Sequence, residues 1–316
     1  MIITDAQVHV WQAHSAERPW PTPSLPGQGF VAVPGARPHR AEPIGAQEMI
    51  AMMDAAGVAR AVIVPPSPAG DSNLCALEAA AQYPERFIVM GRFDPSAPGA
   101  PQTLAGWREQ RHMAGIRMTF HQPHWSRWLD DGSIDWLWAD CERLAIPLML
   151  LIPGRLADVA NVAKRHPGLR LIVDHLGLHS HLRDAQCEAD LRQLLALARF
   201  ANVAIKASAV PCYSTEAYPF AGFKLYLKQV YEAFGPRRML WGSDVSRLPC
   251  SYRQAVEHFT QELDFIAAQD LPWVMGRALS EMLGWPEIQI VVRFWIVQGL
   301  CIGAGLTLFY AEWVSA

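Results

Sequence analysis

Three ionisable side chains follow directly on apolar segments that are typical of buried strands. Asp244 ends the motif Trp241-Gly242-Ser243-Asp244, His9 follows residues 1–8, and His175 follows residues 169–174. If these segments are parallel strands of one sheet, their carboxyl ends bring the three side chains together. Two imidazoles and a carboxylate can activate water and protonate a leaving oxygen. We therefore predict Asp244 as a general base, with His175 and His9 positioning the water or polarising a carbonyl. The pKa of an aspartate in water is about 3.9, and we expect burial at a barrel mouth to raise the pKa of Asp244 and make it a more effective base.

Attack of water on an ester carbonyl also needs groups that stabilise the developing negative charge. Cationic residues lie at or just after the ends of several predicted strands, which favours a substrate with a negative group. Nearby hydroxyl and amide side chains add possible hydrogen bonds. The predicted substrate-binding residues are Arg117, Lys206, Arg247, Ser208, Tyr213 and Gln7.

Each of these residues also has a structural interpretation. Asp244 has the residue type of a helix cap, and the two histidines are compatible with hydrogen-bonded positions in a core. Lys206 is a candidate for an internal ion pair with Asp174. Arg117 is a candidate for the same kind of structural role. The sequence leaves these alternatives open.

The elements that must position these residues alternate along the chain. Short segments rich in Val, Ile and Leu are separated by segments with helical spacing, such as 46–56, and this pattern is typical of repeated βα units. Eight strands with helical crossovers favour a (β/α)8 barrel. An open doubly wound sheet is disfavoured because a proline-rich connection, 20–43, follows the first strand in place of a glycine-rich turn. We expect that connection to fold over the barrel mouth. The predicted strands are 2–8, 61–64, 87–93, 115–119, 147–152, 169–174, 203–207 and 239–241.

Composition excludes some classes of function. Over 316 residues, 51% are hydrophobic and the net charge is -3 at pH 7, so the chain offers no field for holding nucleic acid. The six cysteines form no CxxC pair, and the N-terminus carries no secretory signal pattern. These features predict a reduced, cytoplasmic protein with a small-molecule substrate. Substrate identity and oligomeric state stay open.

The composition changes near the C-terminus. We predict a single barrel domain over 1–286 and a C-terminal extension over 287–316, in which 288–310 is almost wholly apolar. That length is sufficient to cross a bilayer. The extension is either a membrane anchor, a segment that packs on a partner, or the product of an altered reading frame.

Five motifs in order along residues 1 to 286 make the chain resemble the amidohydrolase superfamily, in particular its lactonase-like branch with the pyrone-dicarboxylate and sugar lactonases. One motif lies on each of predicted strands one, four, six, seven and eight. They are Asp5-Ala6-Gln7-Val8-His9-Val10-Trp11, Gly115-Ile116-Arg117, Asp174-His175-Leu176-Gly177, Asn202-Val203-Ala204-Ile205-Lys206 and Trp241-Gly242-Ser243-Asp244.

The resemblance implies a distorted barrel in which strand-one histidines, His175 and Asp244 surround a water molecule, or a divalent ion in metal-using members. This chain departs from the usual His-x-His of strand one, since Gln7 stands at the first position. Glutamine is a poor zinc ligand compared with imidazole, and strand five ends without Lys, His or Glu. We therefore expect no metal cofactor; if one ion binds, its ligands are His9, His175 and Asp244.

Three functions remain for this sequence. The first is a hydrolase that opens a lactone or related cyclic ester with an anionic group. The second, within the same superfamily, is a metal-dependent decarboxylase or amidase. The third is a non-catalytic barrel that binds a ligand or partner, with the apolar C-terminal extension directing it to a membrane.

Overall fold

The predicted barrel is confirmed by the computed structural model, which describes residues 1–16, 40, 42–67, 72–121 and 123–285. Eight parallel strands form one sheet in the order of the sequence, from β1 to β8. Every predicted strand is present, with ends that differ by at most two residues. The strands are β1 Thr4–Val8, β2 Arg60–Ile63, β3 Phe87–Arg92, β4 Met113–Thr119, β5 Leu148–Leu151, β6 Leu171–Val173, β7 Val203–Ser208 and β8 Met239–Gly242.

Helices connect successive strands and cover the outside of the sheet. In the first of them, Met49, Met53 and Ala56 are buried along one face, and the helix ends at Gly57, whose φ of 76° is in the left-handed region. The helices are α1 Ala46–Ala56, α2 Leu74–Gln82, α3 Ala100–Ala105, α4 Pro123–Asp131, α5 Asp135–Arg143, α6 Leu156–Arg165, α7 Glu188–Leu195, α8 Lys224–Phe234, α9 Tyr252–Glu257 and α10 Ala278–Leu283.

Close packing between neighbouring strands explains one glycine of the motifs. At Gly115 on β4, an added Cβ would overlap the carbonyl oxygen of Pro147 and come within 2.8 Å of Met90. A residue with a side chain would therefore push β4 away from β5. Because Arg117 lies two residues further along β4, this close approach also sets where its guanidinium group enters the barrel.

Side-chain and backbone hydrogen bonds join the first strand to the last at the carboxyl end of the barrel. The buried Asp5 carboxylate accepts from the backbone N–H of Gln7 at 2.8 Å and of Ser243 at 2.9 Å. The Asp244 N–H donates to the Gln7 carbonyl at 3.0 Å. The register between β1 and β2 also shifts between Asp5 and Val8, as in a bulge that redirects side chains. These contacts bring the two strand ends that carry His9 and Asp244 next to each other.

Two sequence predictions fall outside the described residues. The proline-rich connection 20–43 lies almost wholly there, and so does the C-terminal extension 287–316. Residues Met1–Leu283 form one compact unit. In the part of the chain that the structure describes, no helix has both the length and the apolar character needed to cross a membrane.

Candidate active site

The side chains of His9, His175 and Asp244 converge at the carboxyl end of the barrel. His9 Nε2 lies 3.1 Å from Asp244 Oδ1, and His175 Nε2 lies 3.8 Å from Asp244 Oδ2. Arg247 approaches the same carboxylate, with Nη1 3.6 Å from Oδ2. We call these four residues the cavity cluster. The longer distance from His175 exceeds a hydrogen bond, so this ring and the carboxylate are placed to contact one water molecule together.

Backbone conformation aims two of these side chains inward. His175 has φ 51° and ψ 42°, and Asp244 has φ 52° and ψ 48°, which are left-handed values that cost non-glycine residues about 1–2 kcal/mol. Asp244 precedes the helical turn Val245–Arg247, but its side chain makes no capping hydrogen bond. The alternative role of Asp244 as a helix cap is therefore wrong. Strain of this kind is common at functional sites.

Hydrogen bonds behind the two imidazoles fix their orientation. His9 Nδ1 lies 2.7 Å from the Val64 carbonyl oxygen, so Nδ1 carries a proton and Nε2 faces the carboxylate. The Ser208 hydroxyl lies 2.8 Å from His175 Nδ1. With Ser208 donating to Nδ1, the Nε2–H of His175 points toward Asp244.

The electrostatics of the cavity cluster differ from the sequence-based expectation. Burial alone would raise the pKa of Asp244, as we expected, but the hydrogen bond from His9 and the charges of His9 and Arg247 outweigh it and hold the pKa well below its usual range. That expectation was wrong because it left out the neighbouring cations. Burial lowers the pKa of His175 to about 3, so its ring is neutral at physiological pH.

A second set of charges lies deeper in the barrel. Lys206 Nζ lies 2.7 Å from Asp174 Oδ1, and Arg117 Nε lies 3.2 Å from Asp174 Oδ2. Arg117 also donates to Thr119 Oγ1 at 2.9 Å. We call Arg117, Asp174 and Lys206 the buried cluster. Lys206 is thus in the ion pair that the sequence offered as its alternative role, and the two cations lower the pKa of Asp174 against the opposing effect of burial.

The cavity cluster forms the floor of a cavity of about 440 Å³. Of the predicted residues, all three catalytic ones line this cavity, as do four of the substrate-binding ones. Lys206 and Ser208 are fully buried beneath its lining, so neither side chain is placed to contact a substrate directly. The described lining residues are Gln7, His9, Trp11, Pro66, Ser67, Arg117, His121, Leu151, Pro153, His175, Leu178, Ser180, Tyr213, Asp244 and Arg247.

Sequence reasoning missed one residue that shapes the site. Besides the two backbone bonds given above, Asp5 accepts a hydrogen bond from the Tyr252 hydroxyl at 2.6 Å. It thereby holds the strand ends before His9 and Asp244, although it touches neither side chain. Burial raises the pKa of Asp5 despite these hydrogen bonds. The available signal was a carboxylate inside an apolar strand, two residues before Gln7, since such a group requires partners.

The donor set does not fit a divalent metal site. Among the described residues, no three His, Cys, Asp or Glu side chains are arranged to hold an ion. Gln7 supplies no oxygen, because its Oε1 accepts from Lys206 Nζ at 2.5 Å and its Nε2 lies 3.3 Å from His9 Nε2. An amide nitrogen has no lone pair to give to a metal. The position at which the superfamily usually carries a histidine is therefore occupied by a hydrogen-bond donor.

Comparison with known proteins gave matches of two kinds, over most of the chain and over a short stretch. The L-fucono-1,5-lactonase of Burkholderia ambifaria is 28% identical over 255 residues, covering 77% of this chain and 81% of that enzyme. The phospho-N-acetylmuramoyl-pentapeptide-transferase of Nocardioides sp. is 60% identical over 35 residues, which is 11% of this chain and 10% of the transferase. The chain thus spans only about a tenth of that second relative.

Solved structures share the fold. An amidohydrolase from Burkholderia multivorans with bound zinc has a TM-score of 0.73 at 20% identity, covering 90% of this chain and all of that one. A putative 2-pyrone-4,6-dicarboxylic acid hydrolase from Pseudomonas putida has a TM-score of 0.68 at 18% identity, covering 90% of this chain and 98% of that one.

The match to a family model extends over almost the whole described barrel. The amidohydrolase model aligns with residues 4–282, which include every residue of the cavity and buried clusters. The predicted family is therefore confirmed, and the chain belongs to the amidohydrolase family.

Proposed function

We propose that this amidohydrolase opens a lactone that carries a negatively charged group, using water activated by Asp244 and no divalent metal. The observation that carries the proposal is the convergence of His9 Nε2 and His175 Nε2 on the Asp244 carboxylate, at 3.1 and 3.8 Å, on the floor of the cavity. A carboxylate between two differently held imidazoles can exchange protons on both sides of a reacting ester.

The reaction follows from these positions. A water molecule between Asp244 and His175 attacks the lactone carbonyl carbon and gives a proton to Asp244. The N–H groups of the Gln7 amide stabilise the negative charge on the carbonyl oxygen, while Arg247 binds the carboxylate of the substrate. When the ring C–O bond breaks, the leaving oxygen takes the Nε2 proton of His9. Asp244 then returns its proton to His9 across their 3.1 Å contact, which restores the resting pair and leaves a hydroxy acid.

Charge balance supports an anionic substrate. Three permanent cations, Arg117, Lys206 and Arg247, face two carboxylates, Asp174 and Asp244, and the reaction above adds a protonated His9, so positive charge prevails around the cavity floor. A substrate carboxylate would offset part of it. The names of two similar proteins, a sugar lactonase and a putative hydrolase of a pyrone dicarboxylate, support the same substrate class.

Metal independence is part of the proposal. Protein treated with chelator and freed of metal should keep its lactonase activity, because Gln7 presents an amide N–H where a ligand is needed. Loss of activity on chelation and recovery with zinc or manganese would instead favour the metal-dependent decarboxylase or amidase. We also infer a reducing, cytoplasmic location, which the five described cysteines support because all are free thiols.

A screen of lactones with and without carboxylates tests the function, comparing the enzyme with Asp244→Asn. We expect turnover of at least one anionic lactone, and a loss of about 10²–10⁴-fold in kcat in the variant, as for removal of a general base. Asparagine tolerates the left-handed backbone of Asp244, so the fold should survive. Asp184→Asn is the matched control, because Asp184 is also left-handed, with φ 47°, but is absent from the cavity lining.

Near-normal turnover by Asp244→Asn would remove that residue from its role. Lack of turnover of every lactone, together with tight binding of one, would favour a non-catalytic barrel.

A further inference from the structure

Lys206 is the most enclosed cation of the barrel interior, with no exposed surface. Its Nζ lies 2.5 Å from Gln7 Oε1, 2.7 Å from Asp174 Oδ1 and 3.4 Å from the Ala6 carbonyl oxygen. These partners are all acceptors, which matches the three N–H bonds of an ammonium group. Lys206 has no donor left for a substrate, so its effect on the site passes through the groups it touches.

The contact with Lys206 determines which way the Gln7 amide faces. Oxygen and nitrogen of a glutamine amide are similar in shape, and only their partners distinguish them. Lys206 can only donate, so the amide oxygen must face down toward Nζ. The Gln7 N–H groups therefore face up into the cavity lining, with Gln7 Nε2 3.3 Å from His9 Nε2. A nearby positive charge also polarises the amide, which strengthens its N–H groups as donors.

We propose that Lys206 is a positioning residue that locks the Gln7 amide with its N–H groups toward the reacting atoms, in the place where a metal ligand would present a lone pair. The Lys206–Gln7 contact, which we call the lock, also makes the Gln7 oxygen unavailable to a metal ion and places the ammonium charge of Lys206 below the site. The Lys206–Gln7 pair is thus an internal substitute for part of a metal centre, and Asp174 holds that pair in place.

One variant removes the lock with little change in volume. In Lys206→Met the Gln7 amide is free to rotate, and its oxygen becomes available to the cavity. We expect kcat to fall at least about 10-fold, on the scale of a lost oriented donor, with KM changed less than about 3-fold. We also expect the dissociation constant for zinc, titrated by calorimetry into metal-free protein, to fall at least about 10-fold. The kcat measurement rests on the proposed lactonase function, whereas the zinc titration does not.

A second variant tests the proposal even if Lys206→Met does not fold. Gln7→Glu has nearly the same shape and keeps an oxygen for Lys206, but replaces the N–H groups with a second carboxylate oxygen. We expect the same direction of change in kcat and in zinc affinity, with a retained fold because the charge of Lys206 gains a partner.

A double variant distinguishes a positioning role of Lys206 from a purely structural one, because the two roles predict different losses of kcat. If Lys206 acts through Gln7, combining Lys206→Met with Gln7→Leu should cost no more kcat than Gln7→Leu alone. Met149→Leu is the control, because Met149 Sδ also touches Lys206 Nζ, at 3.3 Å, but the substitution leaves the lock intact. Multiplicative losses in the double variant, or zinc affinities of both Lys206→Met and Gln7→Glu equal to that of the unmodified protein, would overturn the proposal.

Discussion

The cavity cluster and the buried cluster contain the same kinds of groups, yet their surroundings assign them different tasks. Each has one aspartate held between positive or hydrogen-bonding side chains. In the buried cluster, Lys206 and Arg117 lie 2.7 and 3.2 Å from the Asp174 oxygens, and all three residues are at least 95% buried. In the cavity cluster, Asp244 faces His175 at 3.8 Å and opens onto a cavity of about 440 Å³.

The difference shows that one barrel can place a structural carboxylate and a reactive carboxylate close together. A carboxylate sealed between two fixed cations cannot exchange protons without breaking an ion pair, so Asp174 serves to hold its neighbours. A carboxylate beside imidazoles has partners that can give and take protons, and a cavity through which water and substrate can arrive. Gln7 joins the two clusters, because its oxygen belongs to one and its nitrogen to the other.

The largest expected effect is on stability, and comes from the buried cluster. Asp174→Asn leaves Lys206 and Arg117 buried without their counter-ion, and removal of one partner from a buried pair costs about 3–5 kcal/mol. We expect the free energy of unfolding, measured in urea, to fall by that amount. Asp54→Asn is the control, since the Asp54 side chain is 60% exposed in its pair with Arg86, and such a pair contributes about 0–1 kcal/mol. Equal losses in the two variants would contradict the distinction between the clusters.

Much of this arrangement could be predicted from the sequence, because it depends on local patterns. The apolar strands, and the ionisable residues that end them, follow from residue type and order. That Asp244 and His175 meet follows from the parallel strand ends of a barrel. How far each side chain lies below the cavity was harder to predict. Lys206 and Arg117 are both cations on barrel strands, but of these two only Arg117 lines the cavity.

Other features depend on distances that no linear pattern contains. The pKa of Asp244 falls because His9 and Arg247 approach it, which reverses the shift expected from burial alone. The left-handed conformations of His175 and Asp244 are likewise fixed by how the strand ends close the barrel, since neither residue type requires them. The orientation of the Gln7 amide depends on a lysine 199 positions away.

His258 is a buried histidine outside both clusters, and it tests how the lack of hydrogen-bond partners affects a buried ionisable group. His258 has no exposed surface, and neither ring nitrogen has a hydrogen-bond partner among the described residues. Burial, and to a lesser extent the charge of Lys224, lowers its pKa to about 4. An unfolded chain binds this proton with a pKa of about 6.5. Proton binding by His258 therefore costs no stability above pH 6.5, and stability is lost as the pH falls from 6.5 toward 4.

We predict that His258→Leu removes this loss. At about pH 4.5 the variant should be spared about 2 kcal/mol of the destabilisation that the unmodified protein shows relative to pH 7, as measured by urea unfolding at both pH values. At neutral pH it should be equally or more stable, because an unpaired polar ring has been replaced by an apolar side chain. His181→Leu, at an exposed histidine, should leave the acid dependence unchanged. An unaltered pH dependence in His258→Leu would show that the ring finds a partner in solution.

The smallest expected effect is a change in KM, and it shows which of the two arginines, Arg117 or Arg247, binds the substrate. Arg117 is committed to Asp174 and Thr119, whereas the contact of Arg247 with Asp244 is long, at 3.6 Å, and 21% of the Arg247 side chain is exposed. Arg247 is therefore the cation better placed to bind a substrate carboxylate. We expect Arg247→Met to raise KM for an anionic lactone about 10-fold, as for loss of one charge-assisted hydrogen bond, and to leave KM for a neutral lactone unchanged.

We expect Arg247→Met to leave kcat unchanged or to raise it slightly. Removing Arg247 takes away one of the charges that lower the pKa of Asp244, so the carboxylate becomes a slightly stronger base. A variant with raised KM for anionic lactones and an undiminished kcat would thus assign Arg247 to substrate binding alone. Arg165→Met, at an arginine paired with Asp135 and absent from the cavity lining, is the control and should change neither constant. An equal rise in KM for neutral and anionic lactones would mean that Arg247 shapes the cavity, and that the substrate carboxylate binds elsewhere.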